Sequence, residues 1–343
     1  MLAMCKTRPE AGGVEIRDIA EPQPLAGEVR IKVAATGICG TDVHIYKWAP
    51  DIARLMKLPV ALGHEISGVV DGVGSGVHRV QVGDRVSVES HISCGHCYQC
   101  HLGKAHLCRQ TGYPGITRDG GFAAYTVVPE HIVWVHATDI PLDIAALFEP
   151  FGIGVHASLE GCGVSGMNVL ITGCGPIGLM SIAAARALGA SCIIATDVNP
   201  TRLALATQMG ADRVVDVREA DPVTIARDMT RGNGVDVALE YSGDPQALTQ
   251  AVEALTAGGD LRLVGAASAP VTIDITRWIL KGIRIYNIHG RKLFHSWEHA
   301  SRLVYGGKVD LRPVISHTLP LREGLRAFEL IEQGVAAKVL VTP

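Results

Sequence analysis

The feature that most constrains the fold is a regular alternation of apolar strands and helices from residue 168 onward. A strand pattern in NVLITGCG precedes a helix pattern in PIGLMSIAAARALGA, and the strand pattern SCIIATD follows. The same alternation continues through RVVDV, VDVALEYSG and GDLRLVGA. Strands that alternate with helices of this length predict βαβ units and a parallel sheet. We therefore predict a doubly wound α/β domain over residues 150–291.

The sequence before residue 150 follows a different pattern. Short β-branched runs such as GEVRIKVAAT, VGDRVSVES and FAAYTVVPEHIVWV alternate with Gly and Asp breakers. This pattern predicts a small β-rich domain over residues 1–149. Near the end, EGLRAFELIEQG and KVLVTP predict a helix and a strand, so we expect residues 292–343 to return to the first domain. A chain of 343 residues also favours two domains over one core.

Composition limits the partners and the location. Lys plus Arg (31) nearly balance Asp plus Glu (34), so we expect no nucleic-acid partner. The most apolar window is interrupted by Pro176, Arg186 and Gly189, which predicts a buried helix and strand rather than a membrane span. The start, MLAMCKTRPEAGG, has no basic segment followed by an apolar run. It does not resemble a signal peptide, and we expect a cytoplasmic protein.

A glycine pattern opens the first predicted βαβ unit. Gly173, Gly175 and Gly178 form G-x-G-x-x-G between a strand and a helix, and Pro176 suits the first helical turn. Asp197 ends the next predicted strand, nineteen residues after Gly178. A carboxylate at this position can accept hydrogen bonds from both adenosine-ribose hydroxyls and would repel a 2′-phosphate. We therefore predict NAD rather than NADP as the cofactor.

Four further residues belong to the predicted cofactor site or bear on it. Arg202 is the competing signal, because its guanidinium could meet a 2′-phosphate; a surface or adenine-stacking role is the alternative. Ile177, Gly265 and Ile288 complete the predicted cofactor-binding set.

A cysteine-rich stretch, ESHISCGHCYQCHLGKAHLC, predicts a metal site of a second kind. Its cysteines are spaced C-x2-C-x2-C-x7-C, and four thiolates close a tetrahedral zinc shell without leaving an open position. Such a site can fold a loop but cannot bind substrate. An iron–sulfur cluster and free thiols are the alternatives, and a cytosolic chain favours zinc. The predicted ligands are Cys94, Cys97, Cys100 and Cys108, and the interleaved His96, His101 and His106 are expected to be solvated.

Because that shell is closed, the chemistry must lie elsewhere, and GICGTDVHIY with LGHEISG is the candidate. Cys39, His64 and Glu65 offer a sulfur, an imidazole and an oxygen ligand. Three protein ligands keep a position open for water or substrate. A lone Cys, His or Glu is usually structural, however, and no spacing rule by itself connects Cys39 with His64.

The order of these motifs resembles the zinc-containing medium-chain dehydrogenase/reductase family over essentially the whole chain. The resemblance rests on GICGTD, GHE, VGDRV, the four-cysteine lobe and GCGPIG. It implies a GroES-like catalytic domain, with a zinc lobe at about residues 90–112, closed over a Rossmann domain. It also implies that Cys39, His64 and Glu65 hold a catalytic zinc, with Glu149 as a fourth, exchangeable ligand or near neighbour.

The resemblance also implies an activity. ICGTDVHIY, SHISCGHC, FEPFG and GRKLFHSW are most similar to family members that oxidise the 3-hydroxyl of L-threonine to 2-amino-3-oxobutanoate with hydride transfer to NAD. Thr41 and His91 are then expected at the substrate, Thr41 as a proton relay and His91 as an amino-acid contact or relay member. Two zinc ions per chain and a homotetramer are further expectations.

Alternatives remain at this point. A polyol or 2,3-butanediol dehydrogenase of the same family would share most of the metal residues. A non-enzymatic zinc- and nucleotide-binding protein is a third possibility, although an open metal site argues against it. Negative charge at Glu149 suits a substrate with an ammonium group. Arg291 could meet a cofactor phosphate or a substrate carboxylate, or it could be a surface residue.

Overall fold

The computed structural model describes residues 1–137, 139–267 and 270–343. The strands of these residues, in chain order, are β1 (Leu2–Lys6), β2 (Val14–Asp18), β3 (Glu28–Gly37), β4 (Val60–Ala61), β5 (Glu65–Val73), β6 (Arg85–Val88), β7 (Tyr125–Pro129), β8 (Val133–Val135), β9 (Asn168–Thr172), β10 (Cys192–Asp197), β11 (Arg213–Asp216), β12 (Val235–Glu240), β13 (Leu255–Leu263), β14 (Arg284–Asn287), β15 (Ile315–Pro320) and β16 (Lys338–Thr342).

The α-helices are mostly short. They are α1 (Gly40–Lys47), α2 (Pro50–Ala53), α3 (Tyr98–His101), α4 (Leu142–Ala146), α5 (Phe148–Leu159), α6 (Pro176–Ala187), α7 (Pro200–Gln208), α8 (Pro222–Met229), α9 (Pro245–Ala254), α10 (Ile275–Lys281), α11 (His295–Tyr305) and α12 (Arg326–Glu332). Short 3-10 turns cover Ala105–Leu107, Glu130–Ile132, Arg312–Val314 and Leu321–Glu323. Throughout the described ranges, none of the helices has both the length and the apolar character needed to cross a bilayer.

The chain folds as two compact units. Unit 1 holds Met1–Glu149 and Ile315–Pro343, and unit 2 holds Pro150–Val314. The later boundary differs from the predicted one at residue 291, because helix α11 belongs to unit 2. This helix is amphipathic, and it fully buries Trp297 and Ala300. Burial of that face keeps the segment before Ile315 in unit 2.

Unit 2 is built on a six-stranded parallel sheet in the order β11-β10-β9-β12-β13-β14. The order reverses between β9 and β12, as in dinucleotide-binding folds, which bind ligands outside the carboxyl ends of the strands at such a reversal. Aliphatic side chains from the strands are buried on the sheet, among them Leu170, Ile194 and Ala238. The predicted doubly wound parallel sheet is confirmed.

Three helices of unit 2 begin with the same two-residue signal. Asn199, Asp221 and Asp244 each precede a proline, and each side chain accepts hydrogen bonds from the two backbone N–H groups that follow that proline. Such a cap satisfies donors that the first helical turn leaves unpaired, and proline has no N–H to lose at that position. Local sequence therefore fixes where α7, α8 and α9 start.

Unit 1 carries the predicted β-rich fold, which is confirmed. Strands β2, β1 and β4 form one antiparallel sheet, and a larger sheet runs β15-β16-β3-β5-β6-β8 with β7 paired to β3. The last strand of the chain, β16, pairs antiparallel with β3. Gly37 of β3 lies opposite Glu65 of β5, and a β-carbon on Gly37 would fall 1.9 Å from Glu65 Oε2. Only glycine leaves room there for the Glu65 carboxylate.

Candidate active site

The lobe between β6 and β7 gathers four sulfur atoms. The Sγ atoms of Cys94, Cys97, Cys100 and Cys108 all lie within 4.8 Å of one another. Cys97 Sγ is 3.6 Å from Cys100 Sγ and 3.9 Å from Cys108 Sγ. Sulfurs bound about 2.3 Å from a tetrahedral zinc lie roughly 3.8 Å apart. The structure thus brings the four predicted ligands together at a spacing that fits one zinc ion.

Backbone N–H groups of the same lobe favour thiolates. Cys94 and Gln110 each donate a backbone hydrogen bond of 3.3 Å to Cys108 Sγ. Hydrogen bonds from the backbone of Arg109 and of Cys100 lower the pKa of Cys97 to about 6, whereas burial and the contact with Cys97 raise that of Cys100 to about 12. The lobe therefore favours the metal-binding thiolate at Cys97, and a bound cation would be needed to favour it at Cys100.

The histidines of the lobe do not all behave alike. His96 and His101 are exposed, but His106 is buried. The expectation that His106 is solvated is therefore wrong. The 3-10 turn Ala105–Leu107 places the His106 side chain inward and leaves Leu107 exposed, the reverse of what side-chain polarity alone suggests.

A second cluster joins Cys39, His64 and Glu65. One potential ligand atom from each residue lies within 4.8 Å of the others, and His64 and Glu65 are buried. Cys39 is the N-cap of α1, His64 immediately precedes β5, and Glu65 is the first residue of that strand. A sulfur, an imidazole and a carboxylate form a three-ligand set of the kind that keeps a fourth position for water or substrate.

Asp42 supports this cluster and was missed by the sequence analysis. Its Oδ2 accepts the backbone N–H of Cys39 at 2.9 Å, and its Oδ1 lies 3.8 Å from His64 Nδ1. Those last two atoms are buried and have no hydrogen-bond partner within the described part of the chain. A small rotation would join them, hold the proton on Nδ1 and leave Nε2 for a metal. The available signal was the position of Asp42 in the first turn of α1, where it caps Cys39.

The cluster is strongly anionic. Burial disfavours the imidazolium of His64, yet Asp42 and Cys39 outweigh burial and raise the pKa of His64 to about 10. Burial also raises the pKa of Glu65, whereas the charge of Lys338 lowers it and that of Glu149 raises it. A divalent cation would add positive charge beside the acidic groups of the cluster. The donor set therefore fits a zinc ion.

Lys338 is the unexpected member of the site. From β16 its Nζ donates hydrogen bonds of 2.7 Å to both carboxylate oxygens of Glu65 and one of 2.9 Å to the carbonyl of Ile38. The side chains of Lys338 and Glu65 are both buried. No local sequence signal connects two residues so far apart. The pairing of β16 with β3 brings them together.

Thr41, predicted at the substrate, and Glu149, predicted as a fourth ligand or near neighbour of the zinc, lie beside the cluster. Thr41 Oγ1 is 3.8 Å from Cys39 Sγ. Glu149 is buried, and its charge helps to raise the pKa values of His64 and Glu65. A hydroxyl and a carboxylate are thus available next to the candidate metal position.

His91 is held by a carboxylate. It follows β6, and its backbone N–H donates to Glu89 Oε1 at 2.9 Å while its Nδ1 lies 2.7 Å from the same oxygen. The ring of Tyr113 meets the imidazole edge to face at 5.4 Å. Because Nδ1 faces a carboxylate, this contact favours the tautomer with the proton on Nδ1. Fully buried Glu89 was a second residue that the sequence analysis missed.

The three predicted glycines serve different purposes between β9 and α6. Gly173 has a φ of 88°, which favours glycine, and a β-carbon on Gly178 would fall 2.0 Å from Gly173 O. Around Gly175, the N-cap of α6, nothing lies within 4 Å of an added β-carbon. The motif provides a tight turn, close helix packing and an open helix N-terminus, which together suit a pyrophosphate. Pro176 and Ile177 form the first turn of α6.

Asp197 ends β10 with its carboxylate largely occupied. Oδ2 accepts the N–H of Cys174 at 2.7 Å, and Oδ1 accepts those of Val198 and Asn199 at 2.8 Å. A carboxylate offers about four acceptor positions, so about one remains. To accept hydrogen bonds from both ribose hydroxyls, as predicted, the Asp197 carboxylate must either use one acceptor position for both hydroxyls or give up one of its hydrogen bonds from the backbone. Arg202 is half-buried, and among the described residues its buried Nε has no partner.

The remaining predicted cofactor residues lie at one edge of the parallel sheet. The N–H of Gly265, after β13, donates to Glu240 O at 2.9 Å, and that of Ile288, after β14, donates to Leu263 O at 2.8 Å. The carboxyl ends of parallel strands share an edge, so both residues lie at the edge that carries Gly173.

Arg291 is not a surface residue. It is 1% exposed, and its side chain packs so closely on α5 that a β-carbon on Gly152 would fall 2.7 Å from Arg291 Cδ. The surface alternative is therefore wrong. A contact of Arg291 with cofactor or substrate stays a prediction.

Comparisons with known proteins agree with this geometry. A model described as "Alcohol dehydrogenase GroES-like domain" matches residues 25–138, and one described as "Zinc-binding dehydrogenase" matches residues 176–305. The chain is 43% identical to L-threonine 3-dehydrogenase of Bacillus subtilis (strain 168), over 97% of this chain and 96% of that protein. It is 45% identical to L-threonine 3-dehydrogenase of Pyrococcus abyssi, over 99% and 98%.

Solved structures share the fold along the whole chain. Galactitol-1-phosphate dehydrogenase from Escherichia coli superposes with a TM-score of 0.92 at 31% identity and covers 100% of both chains. A 2R,3R-butanediol dehydrogenase from Bacillus subtilis superposes with a TM-score of 0.90 at 30% identity, over 100% of this chain and 99% of that one.

Proposed function

The chain belongs to the zinc-containing medium-chain dehydrogenase/reductase family, and on that premise we propose that it oxidises the 3-hydroxyl of L-threonine to 2-amino-3-oxobutanoate with NAD as hydride acceptor. Family membership implies an enzyme that uses zinc and NAD. The observation that carries the proposal is the three-ligand cluster of Cys39, His64 and Glu65, beside the carboxylate of Glu149.

The side chains around the cluster supply proton transfer and charge. When bound, zinc lowers the pKa of a substrate hydroxyl, and NAD accepts a hydride from the carbon that bears it. Thr41 Oγ1 lies 3.8 Å from Cys39 Sγ, and in this proposal Thr41 passes the proton of the substrate hydroxyl toward the ribose and solvent. The negative charge of Glu149 complements the ammonium group of an amino-alcohol substrate. In this proposal Glu89 orients His91, so that Nε2 of His91 accepts a hydrogen bond from the amino acid.

A 2,3-butanediol or polyol dehydrogenase is the second candidate. The structural similarity to 2R,3R-butanediol dehydrogenase favours it, since the fold and the metal residues serve either substrate. The higher sequence identity to L-threonine 3-dehydrogenases supports the amino alcohol. Initial rates with NAD and L-threonine, sorbitol or 2,3-butanediol test the choice. Turnover of butanediol or sorbitol well above that of threonine would overturn the threonine assignment.

His91→Ala is expected to lower kcat/KM for L-threonine. The decrease should correspond to about 1–3 kcal/mol of lost transition-state stabilisation, the usual scale of a lost polar contact. The loss should be larger for threonine than for 2,3-butanediol if His91 contacts the amino acid. Steady-state assays of the variant with both substrates measure the difference. Equal losses would instead assign His91 to a general proton relay.

The two ligand sets predict two zinc ions per chain with different lability. A mild chelator should remove the ion of the open three-ligand site first, together with activity, and leave the four-thiolate ion and most of the helical signal in place. Metal analysis and circular dichroism along the chelation series provide the measurement. Finding one ion per chain, or iron, would contradict this assignment.

We also propose that the protein is a cytoplasmic homotetramer that acts on a small molecule without a nucleic-acid or membrane partner. The near balance of charge supports the absence of a polyanionic partner. The resemblance to the family supports the tetramer.

A further inference from the structure

Two histidines on helix α11 form a pair outside the sites described above. His295 is the first residue of the helix, and His299 follows one turn later. Their Nε2 atoms are 3.4 Å apart, and the ring planes meet at 61° with centroids 4.6 Å apart. The opposite face of α11 is anchored by the fully buried Trp297 and Ala300. The helix therefore presents both imidazoles from a fixed scaffold.

The separation of the two nitrogens matches shared coordination. Nitrogen ligands about 2.0–2.1 Å from a tetrahedral zinc lie roughly 3.3–3.4 Å apart. The Nε2 atoms of His295 and His299 already have that spacing. A long hydrogen bond between the two ring nitrogens, which the 3.4 Å contact also allows, is the alternative in the metal-free protein. The same spacing lets one ion lie between the two nitrogens.

The surroundings leave the pair open to an ion. The Glu298 carboxylate, between the two histidines in sequence, accepts a hydrogen bond of 2.9 Å from Arg302 along the helix. His295 is exposed, which leaves the outer side of the pair open to solvent.

We propose that His295 and His299 form an accessory site for one divalent transition-metal ion of the Cu²⁺, Ni²⁺ or Zn²⁺ class. Imidazole ligands select these ions over Mg²⁺ and Ca²⁺, and Cu²⁺ binds such sites most strongly. Because only two protein side chains would hold the ion, it should bind more weakly and exchange faster than an ion in the four-thiolate lobe. This proposal does not depend on the proposed dehydrogenase activity, because none of its residues belongs to that site.

Electron paramagnetic resonance of Cu²⁺ tests the site. The probe is added below one equivalent to the full-length, zinc-loaded protein, where hyperfine structure counts the coordinating nitrogens. We expect a two-nitrogen spectrum. His295→Gln and His299→Gln should each abolish it and weaken Cu²⁺ binding at least about tenfold, the minimum cost of losing even a supporting group at a metal site. His78→Gln, which removes an exposed histidine from unit 1, should change neither measurement.

Two results would overturn the proposal. One is a wild-type spectrum with a single nitrogen or with oxygen ligands alone. The other is a two-nitrogen spectrum that persists unchanged in both variants. Circular dichroism verifies that the variants fold, and His295→Gln alters only an exposed side chain, so the test does not depend on the half-buried His299.

Discussion

Cys39→Ser is expected to abolish threonine oxidation while NAD still binds. A serine hydroxyl cannot replace the thiolate that Cys39 adds to His64 and Glu65, so the open metal site loses its soft ligand. Loss of an outer-shell partner alone commonly costs 10–100-fold, so kcat/KM should fall by more than about a hundredfold. The glycine motif lies in unit 2 and uses none of these residues. The variant should therefore lose turnover but keep its affinity for NAD.

The matched control is Cys162→Ser, which changes an exposed cysteine of unit 2. Serine can keep the hydrogen bond that this side chain gives to Asp260, so activity, metal content and NAD affinity should be retained. Steady-state assays, metal analysis and calorimetric titration with NAD compare the two variants. Retained turnover in Cys39→Ser, or loss of NAD binding in parallel with turnover, would refute the assignment of Cys39.

Lys338→Met is expected to destabilise the metal-free protein by about 3–5 kcal/mol, the usual cost of breaking a buried ion pair by removing one partner. Methionine keeps most of the side-chain volume but leaves the Glu65 carboxylate without its two hydrogen bonds of 2.7 Å from Nζ. A bound zinc ion would return positive charge to Glu65. The loss of stability should therefore be smaller in the zinc-loaded protein than in the metal-free protein.

Urea denaturation with and without zinc measures this difference. Lys338→Arg keeps the charge and serves as the control, with a smaller loss than Lys338→Met in the metal-free protein. The expectation fails if Lys338→Met costs the same with and without zinc, or if it costs nothing. Either outcome would mean that Lys338 does not neutralise Glu65 at the metal site.

Three parts of the protein were predictable because their determinants are local. The parallel sheet of unit 2 follows from the alternation of strand and helix patterns of apolar residues along the chain. Helices α7, α8 and α9 of this unit start where an Asn or Asp before a proline caps the first turn. The glycine turn needs only the backbone freedom of Gly173 and Gly178 within one strand–helix junction. The four sulfurs of the lobe come from a single loop, so their spacing along the chain already limits their spacing in space.

The tertiary structure decided what depends on distant segments. The strand order of unit 1 brings Lys338 of the last strand onto Glu65, and Gly37 of a neighbouring strand leaves room for that carboxylate. The same packing buries Arg291. Amino-acid patterns report local periodicity and turn chemistry. They do not encode which remote strand will be the neighbour, because that pairing is selected by the burial of the whole core. The sequence alone therefore determined the glycine turn and the cysteine lobe, and the fold decided the electrostatic environment of the Cys39, His64 and Glu65 cluster.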